Sequence, residues 1–427
     1  MDPPSHAGGM AAPTNRNTRY PVLELLAVFA ILAVVYHYME PLTMLLVTVV
    51  FPVTFCHFSR DREPKHRLEP NNRLDPNIPL DPNEPTPSPY FVGNKLSLNV
   101  TRTFNDDVPC GNNVQVKILK AYSLPHSQVM IVDILPSPRP SYRFVPHRAF
   151  LKMYDRRFAL RRTSRGEPRP PNTPANEAAL RRFMEEGKAY ALYFRIADSE
   201  AESKRPLFPE KYGEGVPDSD AKHEAAMHYR MMWQCRNERR AYRELAELQG
   251  HHIPHMEAYV KMPMSEGQQT DDKEFMVFGI MVQAIYPSYR LSEIENPQFM
   301  RDKMTITDSE KEKWQEMIQS AVASLHAVNM RGVILQQIDL ANVLVEVNTN
   351  KPWIVGLENV RFREDQAEAS SELETLFRDS DEERWKDDMH EAHNARGVGS
   401  LALRAVKERW QVELDIQYPE WRIYPMA

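Results

Sequence analysis

The residues that could ligate, attack or cradle a ligand point mostly away from familiar centres. Cys56, Cys110 and Cys235 lie far apart with no C-x-x-C spacing, so neither a structural zinc site nor a disulfide framework is expected. No metal ligand set and no catalytic cysteine emerge, and a reducing compartment fits. The chain has 34 prolines against 15 glycines, a ratio that favours extended linkers over the glycine turns from which phosphate-cradling loops are made. Asp339 and Asn342 sit three apart and read as local hydrogen-bonding partners in a turn. His326 ends an apolar helical stripe and reads as a packed or capping residue. Met227, Met231 and Met232 read as core filler, not as a ligand box. With 53 basic and 59 acidic side chains, net charge −6, no global basic field exists to hold a phosphate polymer, and no nucleic-acid partner is expected.

The elements that must position such residues fall into zones. Residues 1–19 are expected to be disordered. Tyr20 to Phe58 is densely apolar, interrupted by Met39-Glu40-Pro41. About 20 apolar residues span a bilayer, so this stretch predicts a helical hairpin of two spans broken at Pro41. One span with an interfacial stretch, or a cleaved leader, are the alternatives. Arg16 and Arg19 before it, and Arg60, Arg62, Lys65 and Arg67 after it, predict both ends on the cytoplasmic side. The lipid bilayer is thus the first expected partner. Asn99-Val100-Thr101 is a formal sequon that would matter only on the lumenal side. Residues 59–90 recur in proline and predict an extended spacer.

From Lys95 the pattern turns to short alternating strands: Leu96 to Val100, Val114 to Leu119, Val129 to Leu135 and Ala149 to Tyr154. Asn237 to Gly250 then reads as a helix with Gly250 as its stop. Thr307-Asp308-Ser309-Glu310 reads as a capping box opening a helix with Trp314, Met317, Ile318, Ala321, Leu325 and Val328 on one face. Between them, residues 155–236 form a charge-rich insert that starts with Arg156, Arg157, Arg161, Arg162, Arg165 and Arg169. Thr173-Pro174 opens a helix within it. The arginines read as a solvated loop with acidic partners, or as a segment touching anionic headgroups.

Taken in order, a strand carrying AFLKMYDRRF, a helix with Glu and Tyr-x-x-Leu, the strand Phe275 to Ile285, a long helix, then GVILQQIDLANVLV and PWIVGLENVRF resemble the protein-kinase-like domain. The resemblance is strongest to the divergent kinase-like proteins common in fungi, and spans Lys95 to Glu364. It implies an α+β, two-lobed protein-kinase-like fold with an N-lobe at 91–290, a truncated C-lobe at 291–427, and one or two transmembrane helices in front. It aligns Lys152 with the lysine that holds ATP phosphates, Glu238 with its helical partner and Asn342 with the magnesium asparagine. A Lys152–Glu238 pair would serve equally well as a structural salt bridge.

The same alignment places the catalytic aspartate on Gln337, with Leu335 and Gln336 where histidine and arginine stand in the family. Glutamine takes up no proton near neutral pH, so the general base is lost. The Asp-Phe-Gly triplet falls on Gly356-Leu357-Glu358, which removes the metal-clamping aspartate. The phosphate loop falls on Ala121 to Gln128, which contains no glycine. Asp339 as base and Glu358 as metal ligand are the nearest substitutes, and neither has the family's spacing. Only 64 residues follow Arg363, and no Ala-Pro-Glu element is found. The expectation is a membrane-anchored pseudokinase: a scaffold for an unidentified protein partner, with no catalytic residue and no required cofactor. Its degenerate nucleotide site is Lys152, Glu238 and Asn342, with residual ATP binding left open. The rival is an atypical kinase or nucleotide-binding enzyme using those three residues.

Overall fold

The computed structural model describes residues 84–104, 113–124, 127–135, 147–161, 167–203, 218–264, 275–295, 306–368 and 394–419. Strands β1 (Lys95–Thr103), β2 (Val114–Leu124), β3 (Ser127–Ile134), β4 (His147–Tyr154), β5 (Met256–Pro263) and β6 (Met276–Gln283) pair antiparallel throughout. Their order is β1-β2-β3-β4-β6-β5, and β1 meets β5 to close a barrel. Alternation fills the interior. Leu98, Val116, Ile118, Met130, Val132, Leu151, Met153, Ala258 and Met281 are all fully buried there, while their neighbours in sequence face outward.

Closure comes from β1 changing partners along its length. Lys95 to Leu98 pair with β2, and from Asn99 the strand pairs with β5, Asn99 and Val100 opposite Lys261 and Val260 and, after a register shift, Arg102 and Thr103 opposite Tyr259 and Ala258. Such a bulge bends a strand and sharpens its twist. Gly279 in β6 allows the other close approach, since a Cβ there would stand 2.5 Å from Met153 Sδ and 2.6 Å from the Lys152 carbonyl oxygen.

Between β4 and β5 run α1 (Pro174–Glu185), α2 (Lys188–Ser203) and α3 (Ser219–Glu244). The Thr173 side chain accepts the Asn176 N–H and Pro174 follows at the first helical position, where its missing N–H costs nothing. Leu180, Phe183, Leu192, Ile196 and Ala225 form the small core that holds the three helices together.

The remaining chain packs around α4 (Asp308–Met330) and α6 (Asn394–Trp410). The reciprocal capping box between Thr307 and Glu310 opens α4, and Trp314, Met317, Ile318, Ala321, Leu325 and Val328 are buried along it. Short strands β7 (Ser288–Arg290), β9 (Val343–Glu346) and β10 (Pro352–Ile354) form one sheet; β8 (Val333–Leu335) and β11 (Val360–Phe362) form another. A short helix, α5 (Arg363–Glu368), follows β11.

Two expectations are corrected by this architecture. The two-lobed protein-kinase-like fold preceded by transmembrane helices gives way to a closed six-stranded antiparallel barrel, because β1 divides its partners between β2 and β5 where an open sheet would leave an edge. The membrane-anchored chain, with its folded domain on the cytoplasmic side, finds no support in any described helix. Among the described residues no helix is long and apolar enough to cross a membrane. The stretch 20–58 lies outside the described residues, as do 1–19 and most of 59–90.

Candidate functional site

Lys152 stands on β4 between Leu151 and Met153, both of which point into the barrel. Strand alternation therefore turns Lys152 outward, onto the face covered by α3. There its Nζ lies 2.8 Å from Glu238 Oε2 and 2.8 Å from Glu358 Oε2. Glu238 comes from the buried face of α3, and Glu358 from the turn before β11. Tyr154, two residues along β4 on the same face, donates its hydroxyl to Glu238 Oε2. The Leu357 N–H donates to Glu238 Oε1 at 3.3 Å.

The cluster holds one ammonium and two carboxylates with little water, the side chains being 9% (Lys152), 3% (Glu238) and 14% (Glu358) exposed. Burial alone would lower the Lys152 pKa, but Glu238 and Glu358 outweigh it and hold the ammonium above its ordinary value. Burial pushes Glu238 up, Lys152 pulls it down and Glu358 pushes it up again, leaving it above the usual carboxylate range. Burial, Glu238 and Glu358 together keep the Tyr154 phenol protonated far past its ordinary range. A lysine in this state is neither a nucleophile nor a base.

α3 also grips the segment that delivers Glu358. Asn237 Nδ2 donates to the carbonyls of Glu358 at 2.9 Å and Val360 at 3.0 Å. Arg230 and Gln234 donate to Asn359 Oδ1 at 3.3 and 3.2 Å. Arg240 pairs with Glu364 and Asp365 and covers the Phe362 ring.

Asn342 closes the turn Leu340–Asn342. Its Oδ1 accepts the Asp339 N–H at 3.1 Å, Asp339 Oδ1 accepts the Ala341 N–H at 3.0 Å, and Asn342 Nδ2 reaches the Val355 carbonyl at 3.4 Å. The local turn read from Asp339 and Asn342 is what forms. Gly356 has φ +77°, and a Cβ there would stand 2.5 Å from Asn342 Nδ2 and 3.6 Å from Glu358 Oε2. Asn342 and the Lys152 cluster are thus neighbours across Gly356. Gln337 is exposed, and no described contact joins it to Lys152, Glu238 or Asn342.

Sequence reasoning paired Lys152 with Glu238 and missed the roles of Glu358 as second counter-ion, Tyr154 as donor and Asn237 as clamp. Tyr154 was recoverable from strand alternation. Glu358 was not, since its placement depends on the left-handed turn at Gly356.

Three of the arginines that open the insert, Arg156, Arg157 and Arg161, are also internal. Arg156 is fully buried, with NH1 2.5 Å from Glu224 and NH2 2.6 Å from Glu177, and Arg161 pairs with Glu224. Arg157 pairs with Asp155, and Arg169 with Asp220. Neither the solvated loop nor the headgroup-facing segment describes Arg156, Arg157 and Arg161, whereas Arg169 meets an exposed acidic partner; Arg162 and Arg165 lie outside the described residues. Beside Arg156, a cavity is lined by Tyr154, His228, Met231, Met232, Met264 and Met276. Among the described residues no group of three or more His, Cys, Asp or Glu is placed to hold a metal ion.

No family model matches the chain, and no curated protein matches it. Among solved structures, one described as WaaP in complex with acyl carrier protein is similar at 14% identity, over 41% of this chain and 76% of that chain, with a TM-score of 0.22. That distant likeness carries no argument about activity, and it lends nothing to a fungal origin.

Proposed function

We propose that the chain is a non-phosphorylating binding or scaffold module that recognises a protein partner. The observation that carries this reading is the Lys152 ammonium held at 2.8 Å by both Glu238 and Glu358. Phosphoryl transfer needs a lysine that can lean on a phosphate, a carboxylate free to take a proton and another to hold magnesium. Here two of the ammonium's three N–H donors are already taken by Glu238 and Glu358, and both nearby carboxylates are spent on it. Gln337 and Gly356, aligned with the proton-accepting and metal-binding positions by the family resemblance, bring neither group. Asn342 is engaged in its own turn.

The test is ATP turnover by the purified full chain with magnesium. The expected result is a rate equal to that of the K152A variant. Magnesium-dependent turnover that K152A abolishes would replace this reading with that of an atypical kinase using Lys152, Glu238 and Asn342.

A further inference from the structure

We infer that the turn Phe91–Asn94, with Lys95 and Lys117 beside it, is a docking surface for a protein segment carrying acidic and apolar side chains. This surface deepens the binding-module reading above, on which it rests, by naming the partner's chemistry.

Phe91 and Val92 are 56% and 63% exposed, among the most exposed large apolar side chains of the described residues. Chain fraying does not account for this, because the turn is held from both sides. Tyr90, just before it, is buried with its ring edge-on to Phe158. Asn94 Nδ2 donates to the Pro89 carbonyl at 2.7 Å, and the Asn94 N–H donates to the Phe91 carbonyl at 3.2 Å. Gly93, at φ +90°, lets the chain turn and donates its N–H to the Ile118 carbonyl of β2 at 2.8 Å. The Ile118 N–H returns to the Asn94 carbonyl at 2.9 Å. Two apolar side chains thus stand in water on a backbone fixed before anything binds, and such preorganised anchors spare a partner the cost of ordering them.

The strands that follow supply charge. Leu96, Leu98, Val116 and Ile118 point into the barrel, so alternation turns Lys95 and Lys117 outward. They stand directly opposite each other in the β1–β2 register, and like charges so placed repel. Among the described residues neither has an ion-pair partner. Asp133 lies opposite Lys117 on β3, yet its carboxylate is taken by Arg148 at 3.2 Å. Because Gly93 and Asn94 bond to Ile118, the residue after Lys117, the lysine pair and the apolar turn are continuous.

Two lysines without counter-ions call for carboxylates. The row Lys95, Lys117, Asp133, Arg148 runs across β1 to β4 and carries an acid within it. A uniformly anionic bilayer would meet Asp133 as a like charge. A peptide can set acidic residues against the lysines and apolar ones against Phe91 and Val92. A protein segment is therefore the occupant that the surface fits.

The test is selection of peptides from a random display library on the full chain, followed by anisotropy titration of the enriched peptides. Enrichment of peptides with acidic residues beside apolar ones is expected. Their affinity should fall at least about tenfold for F91S/V92S and for K95E/K117E, and should weaken as salt rises. Replacing the acidic residues of a peptide by lysine should restore its binding to K95E/K117E. The substituted residues are exposed, so the urea midpoints of the variants should match wild type. Should either double variant fail to fold, V92S and K117Q are read in its place, with a smaller loss expected and no loss overturning the inference. Selected peptides that bind both double variants as tightly as wild type, or selection without enrichment of acidic residues, also overturn it. So does sedimentation with phosphatidylserine-containing vesicles that F91S/V92S abolishes while no peptide is selected, which would assign the surface to a bilayer. Magnesium-dependent ATP turnover by wild type would defeat the non-phosphorylating reading, whereas peptide binding indifferent to these four residues defeats only the surface.

Discussion

Tyr90 donates its phenolic hydrogen to Asp155 Oδ2 at 2.8 Å, joining the last residue of the proline-rich segment to the turn that leaves β4. Both residues are buried, and the Tyr90 ring meets Phe158 edge-on at 5.5 Å. Burial would raise the Asp155 carboxyl, but Arg157 beside it, with the Tyr90 hydrogen bond, holds it below the usual range. Y90F should therefore cost about 1–3 kcal/mol, since it removes one of two hydrogen bonds to a buried carboxylate oxygen, leaving the Arg157 donor, while preserving the ring. Urea unfolding of the full chain measures this, with an unchanged slope and a lowered midpoint expected.

G356A should cost about 1–3 kcal/mol, because it imposes a side chain on a left-handed backbone and pushes against Asn342. The same geometry bears on attempts to restore a metal site. G356D combined with Q337D is expected to lose stability and gain no magnesium-dependent ATP turnover, because Lys152 remains held by Glu238 and Glu358. Turnover restored by that pair of changes would show the lysine to be available.

His228 is buried on α3, stacked on Tyr193 and close to Arg156, whose own partners are Glu177 and Glu224. Burial, and then the charge of Arg156, push its pKa from 6.5 down to about 3. In the unfolded chain the imidazole takes a proton below about pH 6.5, while in the folded chain it stays neutral. Its contribution to stability is therefore complete above that pH and is lost as pH falls toward 3. One proton changes stability by about 1.4 kcal/mol per pH unit in that window. H228F should flatten the loss between pH 6 and pH 4 in denaturant titrations, and an unchanged slope would remove His228 as its source.

Local patterns were the legible part of this protein. Alternation placed the first four strands, Thr173-Pro174 and Thr307 to Glu310 marked helix starts, and Lys152 with Glu238 was recognised as a candidate pair. What failed to show was whatever depends on pairing between distant segments. Barrel closure follows from β1 switching partners from β2 to β5 after Leu98, which no periodicity announces. The arginines from Arg156 onward look solvated in a window of sequence, yet their carboxylate partners Glu177 and Glu224 arrive from helices that come later. Glu358 is likewise an unremarkable acidic residue until the Gly356 turn carries it to Lys152. The same apolar density that predicted membrane spans at 20–58 has no counterpart in any described helix.

Removing the ammonium is the severest change available to the cluster. K152M leaves Glu238 and Glu358 facing each other with no cation, 3% and 14% exposed, and breaking a buried pair from one side costs about 3–5 kcal/mol. The cost should depend on pH in a definite direction. Glu238 already sits above the usual carboxylate range because burial and Glu358 outweigh Lys152. Without the lysine it rises further, so protonation relieves the repulsion as pH falls. A carboxyl whose folded pKa is raised favours the folded state below its unfolded pKa, and that advantage is lost as pH rises through the folded value. K152M should thus lie closer to wild type at pH 5 than at pH 8, and adding E358Q should recover part of the loss at pH 8. Equal destabilisation at both pH values, with no recovery from E358Q, would show that Lys152 acts through packing and not as the shared counter-ion of two carboxylates.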